Sequence, residues 1–338
     1  MAAETAVDNE QNPHHAKNSA LIFIKPHANI ESVQKLVKTH LQEHMVITFE
    51  CDIAGSRIDR KKLIDQHYYT IANKATILKP DSINVPKEKF EKFFKESWST
   101  VLSEGRTSNA LDACERFQCD AAALDAAWRK AESENKVAKF GGGFYCGLMT
   151  VNDKPPLYVF NAFFMTMRQR YVDPESSIHC FVVEWKQENL SWKDFRGKVL
   201  GGTDPVTAEE GSLRRILYER WEELGLGFQP TKGDNGVHGS ASPLEGLTER
   251  VNWLSKDIFD DRYGKILLSR GLRAALLEEW SKDPQVSVPP SGQVMSLFDY
   301  VEDTDADDCM EKLVGVYDYK LSLIKNDEEG CKCGCPVQ

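Results

Sequence analysis

A run of five apolar residues, Ala20-Leu21-Ile22-Phe23-Ile24, closed by Lys25-Pro26, constrains this chain more than any other stretch. An apolar run of that length reads as a short strand. The proline removes a backbone donor and bars further sheet pairing, so the lysine stands at the strand's mouth. Glu31–His44 follows, with Val33, Leu36, Val37 and Leu41 at helical spacing. That spacing gives one apolar face for packing on a sheet. Val46–Ile53 reads as a second strand, Asp59–Ala75 as a helix carrying His67-Tyr68, and Ile178–Trp185 as a third strand. Glu209–Leu224 reads as a further helix and Asn235–Ser240 as the last strand. This β-α-β-α order points to a small α/β sandwich, of α+β type.

Chemistry concentrates around His238. Its neighbours Asn235-Gly236-Val237 and Gly239-Ser240-Ala241-Ser242 are small, which leaves an imidazole open to a ligand. A neutral ring nitrogen near its pKa is a competent nucleophile. Upstream, Thr203 in Gly201-Gly202-Thr203-Asp204-Pro205 and Arg214 in Gly211-Ser212-Leu213-Arg214 offer donors for an anionic oxygen. Downstream, Glu249 falls on a helical pattern from Leu244 to Leu254, and a carboxylate there can hold the tautomer of His238.

With those residues in view, the chain resembles the nucleoside diphosphate kinases. The family's motifs are a strand ending Ile-Lys-Pro, a His-Tyr pair, Gly-x-Thr-x-Pro, Gly-Ser/Thr-Ile-Arg and Asn-x-x-His-Gly-Ser-x-Ser; their counterparts here occur in family order, with Leu213 in place of the isoleucine. The resemblance implies a ferredoxin-like four-stranded antiparallel sheet with flanking helices. It implies that His238 is the phosphorylated nucleophile and Glu249 its carboxylate partner, with Lys25 as a further catalytic residue and Ser240 as a neighbour of the nucleophile. Lys25, Tyr68, Thr203, Arg214 and Asn235 are then the nucleotide ligands. The implied substrates are nucleoside tri- and diphosphates, the implied cofactor is magnesium, and the implied assembly is a homo-oligomer. Four further positions depart from the family pattern. Ala241 replaces an aspartate, Glu210 replaces a proline, and Thr76 replaces the phenylalanine that stacks the base. Gly197 stands where an arginine is expected, so flanking Arg196 or Lys198 becomes the substitute.

The resemblance covers residues 19–76 and 157–256, and the remainder divides around it. Residues 1–18 read as a disordered polar tail and 77–156 as an inserted helical module. That module has amphipathic helices over Pro86–Leu102 and Ser108–Ser133 and a flexible joint at Gly141-Gly142-Gly143. Its Phe90, Phe93, Phe94 and Trp98 stripe covers either the core or a partner. Pro156–Tyr171 reads as a helix whose aromatics, Tyr158 to Phe164, are core or base platform. Residues 257–338 form a C-terminal extension with helices over Lys265–Trp280 and Asp308–Ile324 about a proline-rich joint, Val286–Gly292. His40 and His44 are spaced for metal chelation without an evident third ligand, so no metal site is assigned. Asp303-x-Asp305-x-Asp307 begins like a calcium loop, but Asp308 and Val314 stand where glycine and glutamate are needed, leaving an acidic linker.

Net charge of −10 over 338 residues argues against binding to a nucleic-acid backbone. No apolar run approaches the ~20 residues that span a bilayer, and residues 1–18 lack the apolar core of a secretory signal. The nine cysteines include Cys331-x-Cys333-x-Cys335, which reads as a reduced tail, an acylation site, or a metal or disulfide site. The expected location is the cytoplasm, with a cilium or flagellum, or a membrane reached through acylated terminal cysteines, as alternatives. The competing functional reading is a weakly active or inactive nucleotide-binding module in a larger ciliary or membrane-associated assembly.

Overall fold

In the computed structural model, residues 16–141 and 143–331 are described, with side chains described up to residue 324. The chain begins with β1 (Asn18–Ile24), α1 (Glu31–Gln42) and β2 (Val46–Ala54), followed by short helices of which α2 (Leu63–His67) carries His67. Next come β3 (Thr107–Asn109), β4 (Val137–Gly141), β5 (Phe144–Met149) and β6 (Leu157–Phe160). Then follow α3 (Phe164–Val172), β7 (Ser177–Trp185), β8 (Val237–Gly239) and α4 (Pro243–Leu254). The hairpin β9 (Gln285–Val288) and β10 (Gln293–Ser296) and the long α5 (Ala306–Cys331) end the described chain.

The central sheet has the order β2-β7-β1-β8, antiparallel throughout. Every residue from Ala20 to Ile24 is fully buried because both faces are covered. Ala20, Ile22 and Ile24 pack with Val33, Val37 and Leu41 of α1. Leu21 and Phe23 face the other way, onto Ile64 of α2, Tyr171 and Val172 of α3, and Trp253 of α4. The period-2 alternation of one strand therefore assigns the two layers of helix.

The inserted module is not purely helical. It contains a second sheet, β3-β6-β5-β4, with β3 parallel to β6 and the other pairs antiparallel. Leu157–Phe160, expected to be helical and placed outside the insertion, is a buried strand of that sheet. Helix begins only at Phe164, after Asn161 turns the chain in the left-handed region at φ 48°. The Asn161 side chain accepts from Tyr145 N and donates to the carbonyls of Ile71 and Gly143, at 2.9, 2.8 and 2.8 Å, which ties the insertion to the His67-Tyr68 segment. Pro86–Leu102 divides into Lys87–Phe94 and Trp98–Ser103, and Ser108–Ser133 divides where Gln118 is left-handed. Phe90 and Trp98 pack on Tyr158 and Phe160 of the insertion's own sheet, while Phe93 stays exposed. Gly141 and Gly143 lie at the turn end of the β4–β5 hairpin, in place of the expected flexible joint. Asp59–Ala75 is likewise several short helices, with Lys62 left-handed.

The C-terminal segment shares a core with the central domain. Leu244 and Leu247 of α4 pack with Leu267, Leu277, Trp280, Leu297 and Leu313. The expected proline-rich joint is the β9–β10 hairpin. The acidic stretch 303–307 is a docking segment instead of a linker. Asp305 Oδ1 accepts from Asn18 Nδ2 and Trp192 N, both at 2.7 Å, and Asp307 accepts from Ala16 N and Gln187 Nε2. Ala16 and Asn18, assigned to the tail from sequence, are thereby anchored, and residues 1–15 lie outside the described part. Among the described residues no helix is long and apolar enough to cross a membrane. Cys333 and Cys335 lie outside the described residues, and nothing is described for the Cys331 side chain.

Candidate active site

Strand β8 is three residues long and pairs with β1 so that His238 lies opposite Phe23. Residues opposite each other across a sheet share a face, and the two rings stack with centroids 4.6 Å apart. The turn into β8 needs glycine. Gly236 has φ +84°, and its N–H donates to His27 Nε2 at 3.2 Å. Ser242 then caps α4, its hydroxyl accepting from Glu245 N at 3.2 Å, with Pro243 in the first turn.

That helix returns Glu249 to the nucleophile. Glu249 Oε1 lies 2.7 Å from His238 Nε2, and Ser240 Oγ donates to Glu249 Oε2 at 2.5 Å. Ser240 Oγ also accepts from Leu21 N at 2.9 Å, so the carboxylate is referenced to the middle of β1. With Nε2 engaged, Nδ1 of His238 has no hydrogen-bond partner among the described residues. Burial, then Lys25 and Arg214, hold His238 well below the ordinary histidine range, which keeps the imidazole neutral. Burial pushes the Glu249 carboxyl up to about 7, against the lowering effects of His67 and the Ser240 hydrogen bond. His67 is held down to about 3, by burial and then by His238. Its Nδ1 accepts from Trp253 Nε1 at 3.3 Å and lies 3.5 Å from Glu249 Oε1.

His238 lines a cleft of about 220 Å³ with Lys25, Tyr68, Arg196, Thr203, Arg214 and Asn235. Burial and the neighbouring Arg214 lower Lys25 to about 8, and burial and Arg196 lower Arg214 to about 10. Such crowded cations are electrostatically primed for an anion. Arg214 is aimed by bonds from Nη1 to Gly201 O at 2.7 Å and from Nη2 to Val237 O at 3.0 Å. Asn235 Nδ2 donates to Thr203 O at 2.9 Å, which joins the two loops, while its Oδ1 is buried without a partner. Thr203 is exposed at the rim.

The two substitutes for the missing arginine separate. Arg196 reaches the cleft, with Nη1 held by Glu302 and Asp303 at 2.7 and 2.6 Å. Lys198 is exposed on the same turn, pairs with Asp194 at 3.1 Å and does not line the cleft. Thr76 is buried and donates to Asp65, which also accepts from Arg168 Nε at 3.0 Å; this position is core structure and not a platform. Tyr158, Phe160 and Phe164 are likewise buried in the two faces of the insertion's sheet and not in the cleft. Tyr68 is the only Phe, Tyr or Trp ring in the cleft wall among the described residues.

Sequence reasoning missed Glu245, which lines the cleft and whose Oε2 accepts from Ala241 N at 3.1 Å. Burial and Glu249 push its carboxyl up to about 8. Its signal was present, one helical turn before Glu249 and hence on the same face. A second cavity, of about 410 Å³, adjoins His238, Glu249 and Tyr68 on the side of the C-terminal segment, where Ile258, Leu277 and Phe298 close it.

No family model matches the sequence, and no curated protein does. Among solved structures the chain is similar to nucleoside diphosphate kinases from Encephalitozoon cuniculi, Aquifex aeolicus and Pyrobaculum aerophilum, each at 14% identity. The first covers 71% of this chain and 90% of its own length at a TM-score of 0.33, and the second 70% and 95% at 0.34. The third covers 70% and 96% at 0.33. A likeness at these TM-scores decides neither the arrangement of the sheet nor the activity.

Proposed function

We propose that the chain is a nucleoside diphosphate kinase-like phosphotransferase on a ferredoxin-like sheet, moving the γ-phosphoryl of a nucleoside triphosphate to a nucleoside diphosphate through phospho-His238. One observation carries the reading: a neutral histidine with one nitrogen anchored to Glu249 and the other free forms part of a cleft that also holds Lys25, Arg196 and Arg214. The Nδ1 lone pair attacks the γ-phosphorus, the bond to the bridging oxygen breaks, and the nucleoside diphosphate leaves. As the ring gains positive character its Nε2–H is stabilised by Glu249, whose other oxygen Ser240 holds in place. Lys25 and Arg214 neutralise charge on the phosphate oxygens, and Tyr68, Thr203 and Asn235 contribute polar contacts. Return of the phosphoryl to a second diphosphate regenerates neutral His238.

Glu245 is the only acidic side chain lining the cleft among the described residues, so a magnesium ion fits as one carried in on the nucleotide phosphates rather than caged by protein. When bound it would supply charge neutralisation to the phosphate groups. The second reading, a weakly active nucleotide-binding module, has its own observation: Glu302 and Asp303 occupy Arg196, the one of the two substitutes for the missing arginine that lines the cleft. Exchange of label from γ-labelled ATP to a nucleoside diphosphate, compared between wild type and His238→Ala, separates them. The proposal expects exchange that His238→Ala abolishes while nucleotide binding survives. Binding without exchange in the wild type selects the module.

A further inference from the structure

Helix α1 ends in three side chains that the phosphotransferase chemistry does not use. One ring nitrogen each from His40 and His44 and one carboxylate oxygen of Glu43 lie within 4.8 Å of one another. The spacing of the histidines suggested chelation without a third donor; the helix end supplies it. Glu43 is the C-cap and keeps helical angles, φ −69° and ψ −24°, and His44 N donates to Leu41 O at 3.1 Å. This tight last turn brings Glu43 and His44 beside His40, whose ring stands edge-on to His44 at 5.4 Å between centroids.

Two further observations favour a cation there. His40 Nε2 lies 3.2 Å from Val199 O. A carbonyl only accepts, so Nε2 carries the proton and Nδ1 keeps a free lone pair. A ring nitrogen donating to a backbone carbonyl while the other faces outward is the usual support of a metal-ligating histidine. The carbonyl end of a helix also carries partial negative charge. Two imidazoles and one carboxylate form a donor set suited to zinc and its borderline neighbours.

We propose that His40, Glu43 and His44 form a surface site for a divalent transition-metal ion of the zinc type, its remaining positions filled by water. The site is independent of the phosphotransferase reading. Its support bond lands on Val199, in the Phe195–Leu200 turn that also carries Arg196 and Leu200 to the cleft wall. A bound ion therefore clamps the end of α1 to that turn and raises the melting temperature.

The test is calorimetric titration of Zn2+ into the full chain, with competing donors outside the described residues or at their edge removed by His14→Ala, His15→Ala, Cys331→Ser, Cys333→Ser and Cys335→Ser. One equivalent is expected to bind. His44→Ala and Glu43→Ala are each expected to weaken it about tenfold or more and to abolish the zinc-dependent rise in melting temperature. Both positions are exposed, so the variants fold. His67→Ala is expected to leave the affinity unchanged. No zinc uptake, or uptake indifferent to His44→Ala and lost in His67→Ala, overturns the proposal; the latter places the ion among His67, His238 and Glu249.

Discussion

At His238 the two ring nitrogens meet different surroundings, and the proposed chemistry depends on that difference. Replacing Glu249 by glutamine keeps the shape but removes the charge that steadies the developing imidazolium. Phosphorylation is expected to slow by about 10- to 1000-fold, or roughly 1.4 to 4 kcal/mol of barrier, with nucleotide affinity little changed. Rapid-quench kinetics at saturating ATP reads this directly, and an unchanged rate would reduce Glu249 to a structural group. Lys25 gives the pH dependence. Its folded pKa lies near 8, below the ordinary lysine value of 10.5, so the nucleotide-free fold disfavours the charged form. Between those two values the unfolded chain binds more protons, and this lysine's contribution to stability rises with pH. A bound polyphosphate reverses the preference and restores the proton. Nucleotide binding at pH 8 to 9 is therefore expected to take up a proton at Lys25 and to weaken as pH rises through about 8. Calorimetry in two buffers of different ionisation heat measures that uptake, and its absence would remove Lys25 from the phosphate contacts.

Among the elements, the approach of α4 to β1 sets the distance from Glu249 to His238. A Cβ on Gly246 would lie 2.6 Å from the backbone oxygen of Ser19, which has no room to yield. Alanine is the better helix former by about 1 kcal/mol, yet the clash with a buried strand outweighs it. Gly246→Ala is expected to cost roughly 1–3 kcal/mol in urea unfolding and to lower the phosphorylation rate by displacing Glu249. A variant as stable as the wild type would show that the helix can move outward freely. In the central domain β1, β7, α1 and α4 are legible in the sequence because each carries one clear period, apolar continuity in the two strands and helical spacing in the two helices, whereas the three-residue β8 is legible only through the motif around His238. The insertion is less legible. Its strands run three to six residues, too short to establish alternation, and Leu157–Phe160 runs straight into Phe163 and Phe164, which extend a helix-like spacing. In the site, the structure brings together all the sequence-nominated residues except Lys198, Ser240 and Glu249 as cleft-lining groups; Glu249 holds His238 from behind, and Ser240 acts on Glu249. Local spacing could not separate Arg196 from Lys198, because the π-helical turn that directs them is set by packing of Phe195, Val199 and Leu200.

Across the whole molecule, both additions to the central sheet touch the site through shared packing. The insertion's core takes in Ala72 and Ala75 beside the Tyr68 segment, and Phe164 and Met165 of α3. The C-terminal segment packs on α4 and holds Arg196 through Glu302 and Asp303. These ion pairs are partly exposed and individually weak. Removing both by Glu302→Ala and Asp303→Ala frees Arg196 for the cleft and is expected to tighten nucleoside triphosphate binding by roughly three- to tenfold, a gain that Arg196→Ala cancels. Unchanged affinity in the double variant would remove Arg196 from the nucleotide ligands. The most direct measurement concerns the phosphoenzyme itself. The protein is incubated with ATP and magnesium, freed of nucleotide, and examined by phosphorus NMR and peptide mapping. The expected result is one acid-labile, base-stable phosphoryl on Nδ1 of His238, absent from His238→Ala and discharged by an added nucleoside diphosphate. A phosphoryl on Nε2, a label that persists in His238→Ala, or a wild type that binds ATP and takes up no label would contradict it.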